Sequence, residues 1–298
     1  MTSLYHHLVI GLSGISLTDG ERRWLRDNPP LGVILFARNI ETPAQVSTLL
    51  SEVRQCTGQS TWAAIDEEGG RVNRMSWPPF SNRKHAAEYG RLYRNNPVVA
   101  KKAVYDDAHT VGNALMELGF THDCAPVLDV FHASADAIIG ERAYGPDIHV
   151  VADLGAACIR GLQAAGIGAV GKHFPGHGRA DADSHLAMPH VGAPLTQLLQ
   201  EAAPFKSCMD QGLNHIMTAH VVYDKADMKV ATLSDFWLKD MLRNRFGFQG
   251  RIWSDDLCMK GVGENIVASA RGALSAGCDV LLICEPDQVA EIYRDLED

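Results

Sequence analysis

The chain has 298 residues, 46% of them hydrophobic, 21% charged, and its formal net charge at pH 7 is −9. This length allows one large α/β domain or two ordinary domains, and the composition is that of a globular protein with a sizeable core. The sequence has no long block of lysine or arginine and no run of about 20 apolar residues, so we expect neither a nucleic-acid partner nor a membrane span.

The amino-terminal segment, MTSLYHHLVIGLSGISL, does not have the pattern of a signal peptide. It has no basic leading region, and glycine and serine interrupt its apolar part. The seven cysteines are scattered and none forms a CxxC pair, which favours reduced thiols over a disulfide framework or a zinc ribbon. We therefore expect a cytoplasmic protein.

Helical stretches alternate with short apolar runs along the whole chain. The first clear helix follows Thr42 as N-cap, begins at Pro43, buries one apolar face and ends at Gly58. The apolar runs are mostly continuous rather than alternating, as in parallel strands that are buried on both faces. In chain order they are VIGL, GVILFA, TWAAID, THDCAPVLD, IGAVGKHF, NHIMTAH, RIWSDD and DVLLICEP.

Eight βα units predict an α/β protein with one domain, a single (β/α)8 TIM barrel that spans residues 1–298. The alternative is a doubly wound open sheet. That fold would predict a GxGxxG loop after the first strand, and none occurs there.

Polar residues stand where the apolar runs end. Because the chemistry of a TIM barrel takes place at the carboxyl ends of its strands, we expect these residues to converge on one rim. They are Asp66, Asp129, Lys172 with His173, His220, Asp255 with Asp256, and Glu285.

The segment KHFPGHGRADADSH follows the fifth run and is rich in histidine. His173 and His177 have the HxxxH spacing of zinc ligands on a helix, but proline and glycine in the stretch argue against a helix, which disfavours a metal site. Asp183 and His185 are two residues apart and point the same way in an extended segment. A carboxylate can orient an imidazole and favour its protonated form, so this pair is a candidate acid–base unit. A capping aspartate is the alternative.

The stretch IDEEGGRVNR places three carboxylates at the end of the third run. The position of Asp66 at the strand end indicates a functional residue. For Glu67 and Glu68 we expect solvent exposure or pairing with Arg71.

The stretch SDD ends the seventh run with two adjacent carboxylates, Asp255 and Asp256. A strand-end carboxylate that faces the barrel mouth can serve as a nucleophile, a base or a clamp for hydroxyl groups. The alternative is capping of the following segment, which fits Asp256 better than Asp255.

Six motifs in a fixed order carry a resemblance to a known family: GVILFARN, IDEEGGRV, APVLD, IGERAYG, KHFPGHG followed by DSH, and SDDLCM. They resemble the β-N-acetylglucosaminidases of the NagZ type, in glycoside hydrolase family 3, from about Leu12 to Glu285. The resemblance implies a single-domain TIM barrel and retaining hydrolysis of terminal β-linked N-acetylglucosamine, without a cofactor. The implied substrates are the small carbohydrate N-acetylglucosaminyl-1,6-anhydro-N-acetylmuramic acid and its peptide-bearing forms (muropeptides), in cytoplasmic peptidoglycan recycling.

The resemblance also implies roles for individual residues. It assigns Asp255 as the nucleophile, His185 as the mobile acid/base and Asp183 as the partner of that histidine. The family usually has glutamine where this chain has Glu67 and Asn73, and we expect neither change to abolish activity. The positions implied to bind the non-reducing sugar are Asp66, Arg74, Arg142, Lys172 and His173.

Two further functions stay open at this point. A phosphorylase on the same fold is one, because a neutral histidine base repels incoming phosphate less than a glutamate would. A sugar-binding sensor that has lost catalysis is the other, and the joint presence of Asp255, Asp183 and His185 argues against it. We expect a monomer in either case.

Overall fold

The computed structural model describes residues 4–182, 188–259, 262–263 and 265–297, and in that part of the chain eight parallel strands close a barrel. The predicted TIM barrel is confirmed. Strands β1 to β6, β9 and β10 follow one another around it, and β1 pairs with both β2 and β10 to complete the ring. The strands are β1 Leu8–Gly11, β2 Gly32–Leu35, β3 Trp62–Ile65, β4 His122–Asp123, β5 Gly168–Phe174, β6 His215–Thr218, β7 Val222–Tyr223, β8 Asp227–Val230, β9 Arg251–Asp256 and β10 Val280–Ile283.

Helices surround the barrel and pack their apolar faces against it. The α-helices are α1 Asp19–Asp27, α2 Pro43–Thr57, α3 Ala86–Asn95, α4 Pro97–Leu118, α5 Ile148–Ala164, α6 Leu195–Glu201, α7 Ala203–Met209, α8 Ile266–Ala276 and α9 Pro286–Glu297. A π-helix, Phe236–Arg245, stands between β8 and β9, and short 3₁₀ helices are formed by Leu4–His7, Ala37–Asn39, Gly140–Arg142 and Ala231–Leu233.

Helix α2 shows how local sequence sets these boundaries. The Thr42 side chain accepts a hydrogen bond from the backbone N–H of Gln45, and Pro43 opens the helix, as predicted. The face that packs inward consists of the four predicted residues, Val46, Leu49, Leu50 and Val53. No helix in the described ranges is both long and apolar enough to cross a membrane.

The fourth strand is shorter than its apolar run. Regular pairing of β4 ends at Asp123, and a cis peptide bond joins Ala125 to Pro126 immediately afterwards. The chain then returns to the barrel wall through a single bridge between Val127 and Lys172. Because proline has no backbone N–H, it interrupts the ladder at this point.

Aromatic rings fill the amino-terminal end of the barrel. We call Trp62, His122, His215 and Trp253 the aromatic floor. The rings of Trp62 and Trp253 stack with their centroids 5.7 Å apart, and Trp253 Nε1 donates to His215 Nδ1 over 3.1 Å. Burial lowers the pKa of His122 to about 3 and that of His215 to about 4, so both imidazoles are neutral. The floor therefore acts as apolar filling.

Candidate active site

A cavity of about 330 Å³ opens at the carboxyl end of the barrel. Asp66 and Glu68 reach it from the loop after β3, and Lys172 and His173 from the end of β5. Every sequence-predicted site residue that falls in the described ranges lines it: Asp66, Arg74, Arg142, Lys172, His173 and Asp255. The strand ends therefore converge on one rim, as the barrel geometry predicts.

Lys172 is the buried centre of the cation–carboxylate contacts. Its Nζ lies 2.6 Å from Oδ1 of Asp66 and 2.7 Å from Oε1 of Glu68, and its side chain is 3% exposed. Burial alone would lower the pKa of Lys172, but the charges of Asp66 and Glu68 outweigh burial and raise it. Burial opposes ionisation of Asp66 as well, yet Lys172 and then Arg74 hold the pKa of that carboxyl below its usual value. All these groups are therefore charged at neutral pH.

Arg142 reaches the same cluster from the 3₁₀ helix Gly140–Arg142. Its Nε and Nη2 each donate to one oxygen of Glu68 over 2.8 Å, a bidentate pair that fixes the planes of both groups. Its Nη1 donates to the backbone oxygen of Ile138, 3.1 Å away.

The predicted exposure of Glu67 and Glu68 is wrong. The side chain of Glu68 is 7% exposed and that of Glu67 is fully buried. Neither pairs with Arg71, whose Nη2 donates to the backbone oxygens of Ala137 and Ile138. The reason is the alternation of an extended backbone, which turns Glu68 towards the cavity and Glu67 back towards the barrel wall.

His173 is held by a buried aspartate. Its Nδ1 donates to Oδ2 of Asp129 over 2.7 Å, and Oδ1 of Asp129 accepts the backbone N–H of His177 over 2.6 Å. Burial would raise the pKa of Asp129, but His173 lowers it below the usual value, which keeps the acceptor ionised. The carboxylate thus fixes the tautomer of His173 and leaves its Nε2 for a ligand in the cavity. Burial lowers the pKa of His177 to about 4.

Asp255 and Asp256 have different surroundings. Asp255 lines the cavity and accepts only the backbone N–H of Asp256, over 2.8 Å, among the described residues. Burial opposes its ionisation, but His220 and His173 lower its pKa below the usual value. Oδ1 of Asp256 accepts the backbone N–H groups of Cys258 and Cys284, each over 3.0 Å, so this carboxylate caps the chain, as predicted.

Sequence reasoning placed His220 on the rim but gave it no role, and its side chain lies behind the residues that line the cavity. It is fully buried, its Nδ1 lies 2.7 Å from Thr232 Oγ1, and its Nε2 lies 2.9 Å from the backbone oxygen of Asp256. Burial lowers its pKa. Its position just after β6, beside the end of β9, was the sequence signal that could have indicated a role near Asp255.

The predicted acid–base pair, Asp183 and His185, lies outside the described residues. The chain on either side of it is fixed by hydrogen bonds. Oδ1 of Asp181 accepts the backbone N–H of His190 over 2.8 Å, and Val191 donates to the backbone oxygen of Val222 over 2.9 Å. The ends of the segment are therefore held together beside the β7–β8 hairpin.

A metal centre was disfavoured by the sequence. Within the described ranges, no group of three or more histidine, cysteine, aspartate or glutamate side chains has the arrangement to hold a metal ion. Asp129 accepts from Nδ1 of His173 but only from the backbone N–H of His177. That the protein needs no metal stays a prediction.

Comparison with known proteins agrees with this site. Residues 9–298 match the glycosyl hydrolase family 3 N-terminal domain. A curated β-hexosaminidase from Thioalkalivibrio sulfidiphilus is 40% identical over 294 residues, which are 98% of this chain and 84% of that protein.

Two solved structures of NagZ from Neisseria gonorrhoeae share the fold. The complex with N-trifluoroacetyl-D-glucosamine has a TM-score of 0.90 and 35% identity, and the complex with a zinc ion has a TM-score of 0.89 and 34% identity. Each comparison covers 97% of this chain and 84% of the other. With the family match over residues 9–298, the chain belongs to glycosyl hydrolase family 3 and is a glycoside hydrolase, as its sequence motifs predicted.

Proposed function

We propose that the protein is a retaining exo-β-N-acetylglucosaminidase. Its substrates would be N-acetylglucosaminyl-1,6-anhydro-N-acetylmuramic acid and the peptide-bearing forms of that sugar. The observation that carries the proposal is the ionised Asp255 in the same cavity as the buried cluster of Asp66, Glu68, Lys172 and Arg142. The names of the relatives support it, since one is a β-hexosaminidase and another binds an N-acylated glucosamine.

The buried cluster is suited to hold one sugar ring. Asp66 and Lys172 present an acceptor and a donor to the cavity, and charge-assisted hydrogen bonds of this kind select hydroxyl and amide groups by position. A volume of about 330 Å³ is at the low end for ligand pockets, which favours one terminal residue over an internal stretch of polymer.

The first chemical step would use Asp255 and His185. A carboxylate oxygen of Asp255 attacks the anomeric carbon while the bond from that carbon to the leaving oxygen breaks. His185 gives its proton to the leaving oxygen, and Asp183 keeps the imidazole oriented and readily protonated. The products of this step are the free aglycone and a glycosyl ester on Asp255.

The second step would reverse these roles. Neutral His185 takes a proton from water as the water oxygen attacks the anomeric carbon, and the ester bond to Asp255 breaks. This step releases N-acetylglucosamine with its original anomeric configuration. The enzyme returns to its starting protonation state, so no cofactor is consumed.

Two arginines favour an anionic aglycone. Arg38 and Arg71 also line the cavity. They would attract the carboxylates of a muropeptide in an otherwise acidic protein. A cytoplasmic monomer that acts on small carbohydrates, in peptidoglycan recycling, is the setting that we propose.

The test is product analysis on a defined muropeptide, with and without inorganic phosphate. We expect free N-acetylglucosamine in both cases, together with release of the chromophore from an aryl β-N-acetylglucosaminide. A sugar 1-phosphate that forms only with phosphate present would identify a phosphorylase. Binding of N-acetylglucosamine without turnover of either substrate would identify a sugar-binding sensor.

A further inference from the structure

The carboxylate of Glu67 lies behind the active site rather than in it. Asp66 and Glu68, its neighbours in the chain, both contact Lys172 Nζ, whereas the Glu67 side chain points the other way and is fully buried. No step of the proposed mechanism uses it. A buried carboxylate without a function is costly, so the contacts of Glu67 need an explanation.

Glu67 joins the two limbs of the loop that carries the sugar-binding groups. Its Oε2 accepts the backbone N–H of Arg74 over 2.9 Å, on the return limb. Its Oε1 accepts from Nη1 of Arg83 over 3.3 Å. The loop positions the Asp66–Arg74 pair, whose Oδ2 and Nη2 atoms are 3.4 Å apart at the cavity wall.

Two carboxyl groups share one guanidinium in this region, and a third carboxyl group lies beside them. Arg83 also donates from Nη2 to Oδ2 of Asp107 over 2.9 Å, and Oδ1 of Asp123 accepts the backbone N–H of Glu67 over 2.9 Å. We call Glu67, Asp123, Asp107 and Arg83 the carboxyl cluster. If every member were ionised, the cluster would carry a net charge of −2, with Glu67 and Asp123 buried and Asp107 only partly exposed, so one buried carboxyl group is poised to hold a proton.

We propose that Glu67 is a titratable positioning residue. As a carboxylate it ties the return limb of residues 66–74 to Arg83. On taking up a proton it turns a donor towards Arg83, which releases the limb and weakens sugar binding. The proposal deepens the proposed function, because it concerns the affinity of the same cavity for N-acetylglucosamine.

The electrostatics of the cluster place this change near neutral pH. Burial raises the pKa of Glu67 to about 7, against the hydrogen bond from Arg74 and the charge of Arg83, and the charge of Asp123 adds to the rise. Burial likewise raises the pKa of Asp123 to about 7. The other titratable or charged groups packed around the cluster are Asp66, Arg74, Tyr89, Cys158 and Lys172.

The sign of the stability effect follows from the raised pKa. Between the ordinary value of 4.5 and about 7, the folded protein holds the proton of Glu67 more tightly than the unfolded chain does. This stabilisation is therefore complete below the lower value and is lost as pH rises towards the upper one. The state that binds sugar best is also the state in which the cluster is most strained electrostatically.

The experiment measures the dissociation constant of N-acetylglucosamine from about pH 5.5 to 8.5, by NMR titration of the full chain. For the parent protein we expect affinity to weaken about three- to ten-fold as pH falls through neutrality, the worth of about one hydrogen bond. In Glu67→Gln the side-chain amide cannot titrate, and it cannot accept hydrogen bonds from both Arg74 and Arg83. We therefore expect this variant to bind the sugar weakly and to lack the parent's transition with pH. Persistence of the parent's transition in Glu67→Gln overturns the proposal.

A second variant tests the cluster without changing Glu67. In Asp107→Asn, Arg83 has one carboxylate fewer to serve, so the transition should move to lower pH. An unmoved midpoint, or one at higher pH, overturns the proposal. The matched control is Glu52→Gln on α2, which makes the same chemical change in a surface pair with Arg22 and should leave the midpoint at its parent value.

Thermal unfolding separates this inference from the proposed function. We expect the melting temperature of Glu67→Gln to rise relative to that of the parent as pH increases from about 5 to 8, because only the parent loses the stabilising proton. If no form of the protein binds N-acetylglucosamine, the proposed function fails. The comparison of melting temperatures still shows whether Glu67 titrates. A difference in melting temperature that does not depend on pH contradicts the titration of Glu67. If Glu67→Gln does not fold, the melting temperature of Asp107→Asn is compared with that of the parent over the same pH range. A difference that does not depend on pH contradicts the titration of Glu67.

Discussion

At the scale of single residues, Asp255 and Asp256 are adjacent in the chain but have different chemistry available to them. Both carboxylates line the cavity, but one oxygen of Asp256 accepts two backbone amides, whereas Asp255 accepts only one and has a lowered pKa. An ionised carboxylate that accepts fewer hydrogen bonds is the better nucleophile. The structure thus gives a physical reason to prefer Asp255.

A trapping experiment tests this assignment. A 2-fluoro or 5-fluoro sugar with a good leaving group should form a stable ester on Asp255, because fluorine slows the second step more than the activated first step. Peptide mass mapping would locate it. A label on Asp256 or Asp66 contradicts the assignment, and an oxazoline product without any ester indicates attack by the acetamido group of the substrate.

The importance of His185 should depend on the leaving group. His185→Ala should slow cleavage of the natural disaccharide by about 10²–10⁴-fold, the usual contribution of a positioned acid or base. Formation of the intermediate from a dinitrophenyl glycoside should slow far less, because that leaving group departs unprotonated. Rapid-mixing kinetics should then show a burst, since the second step still lacks its base. Equal losses for both substrates in the first step would mean that His185 only binds or shapes the site.

At the scale of elements, sequence patterns located most of the site but not its supporting contacts. The continuous apolar runs predicted the strands, and the strand ends placed Asp66, Lys172 and Asp255 on one rim. The partners of these residues come from loops whose course depends on tertiary packing. No local signal pairs Arg142 with Glu68 across 74 positions of sequence, or directs Asp129 to His173 after the interruption of β4.

The start of α2 gives a stability prediction at this scale. Thr42→Ala removes the acceptor for the backbone N–H of Gln45, which lies 3.2 Å from Thr42 Oγ1, and should cost about 1 kcal/mol of unfolding free energy. Urea denaturation followed by circular dichroism would measure it. Thr48→Ala is the matched control, because Thr48 lies within the same helix and its hydroxyl donates only to the backbone oxygen of Ala44. An equal loss of unfolding free energy in both variants would show that the loss in Thr42→Ala does not come from the helix cap.

At the scale of the whole molecule, catalysis should proceed without a metal ion. Asp129 holds Nδ1 of His173, no group of three or more metal-ligating side chains forms in the described ranges, and the proposed chemistry needs only a carboxylate and an acid–base group. We expect full activity after prolonged treatment with a chelator. Loss of activity to the chelator and its recovery with zinc, an ion that a NagZ structure contains, would contradict this prediction.

The aromatic floor has a consequence for the order in which products leave. Trp253 is fully buried and His122 and His215 nearly so, so the rings block the amino-terminal end of the barrel below the sugar cavity. In the proposed reaction the terminal sugar would enter first, and the aglycone would lie between it and the mouth. The two products must therefore depart in the reverse of that order. Free N-acetylglucosamine, the last to leave, should compete directly with substrate, whereas the departed aglycone should give a mixed pattern of inhibition.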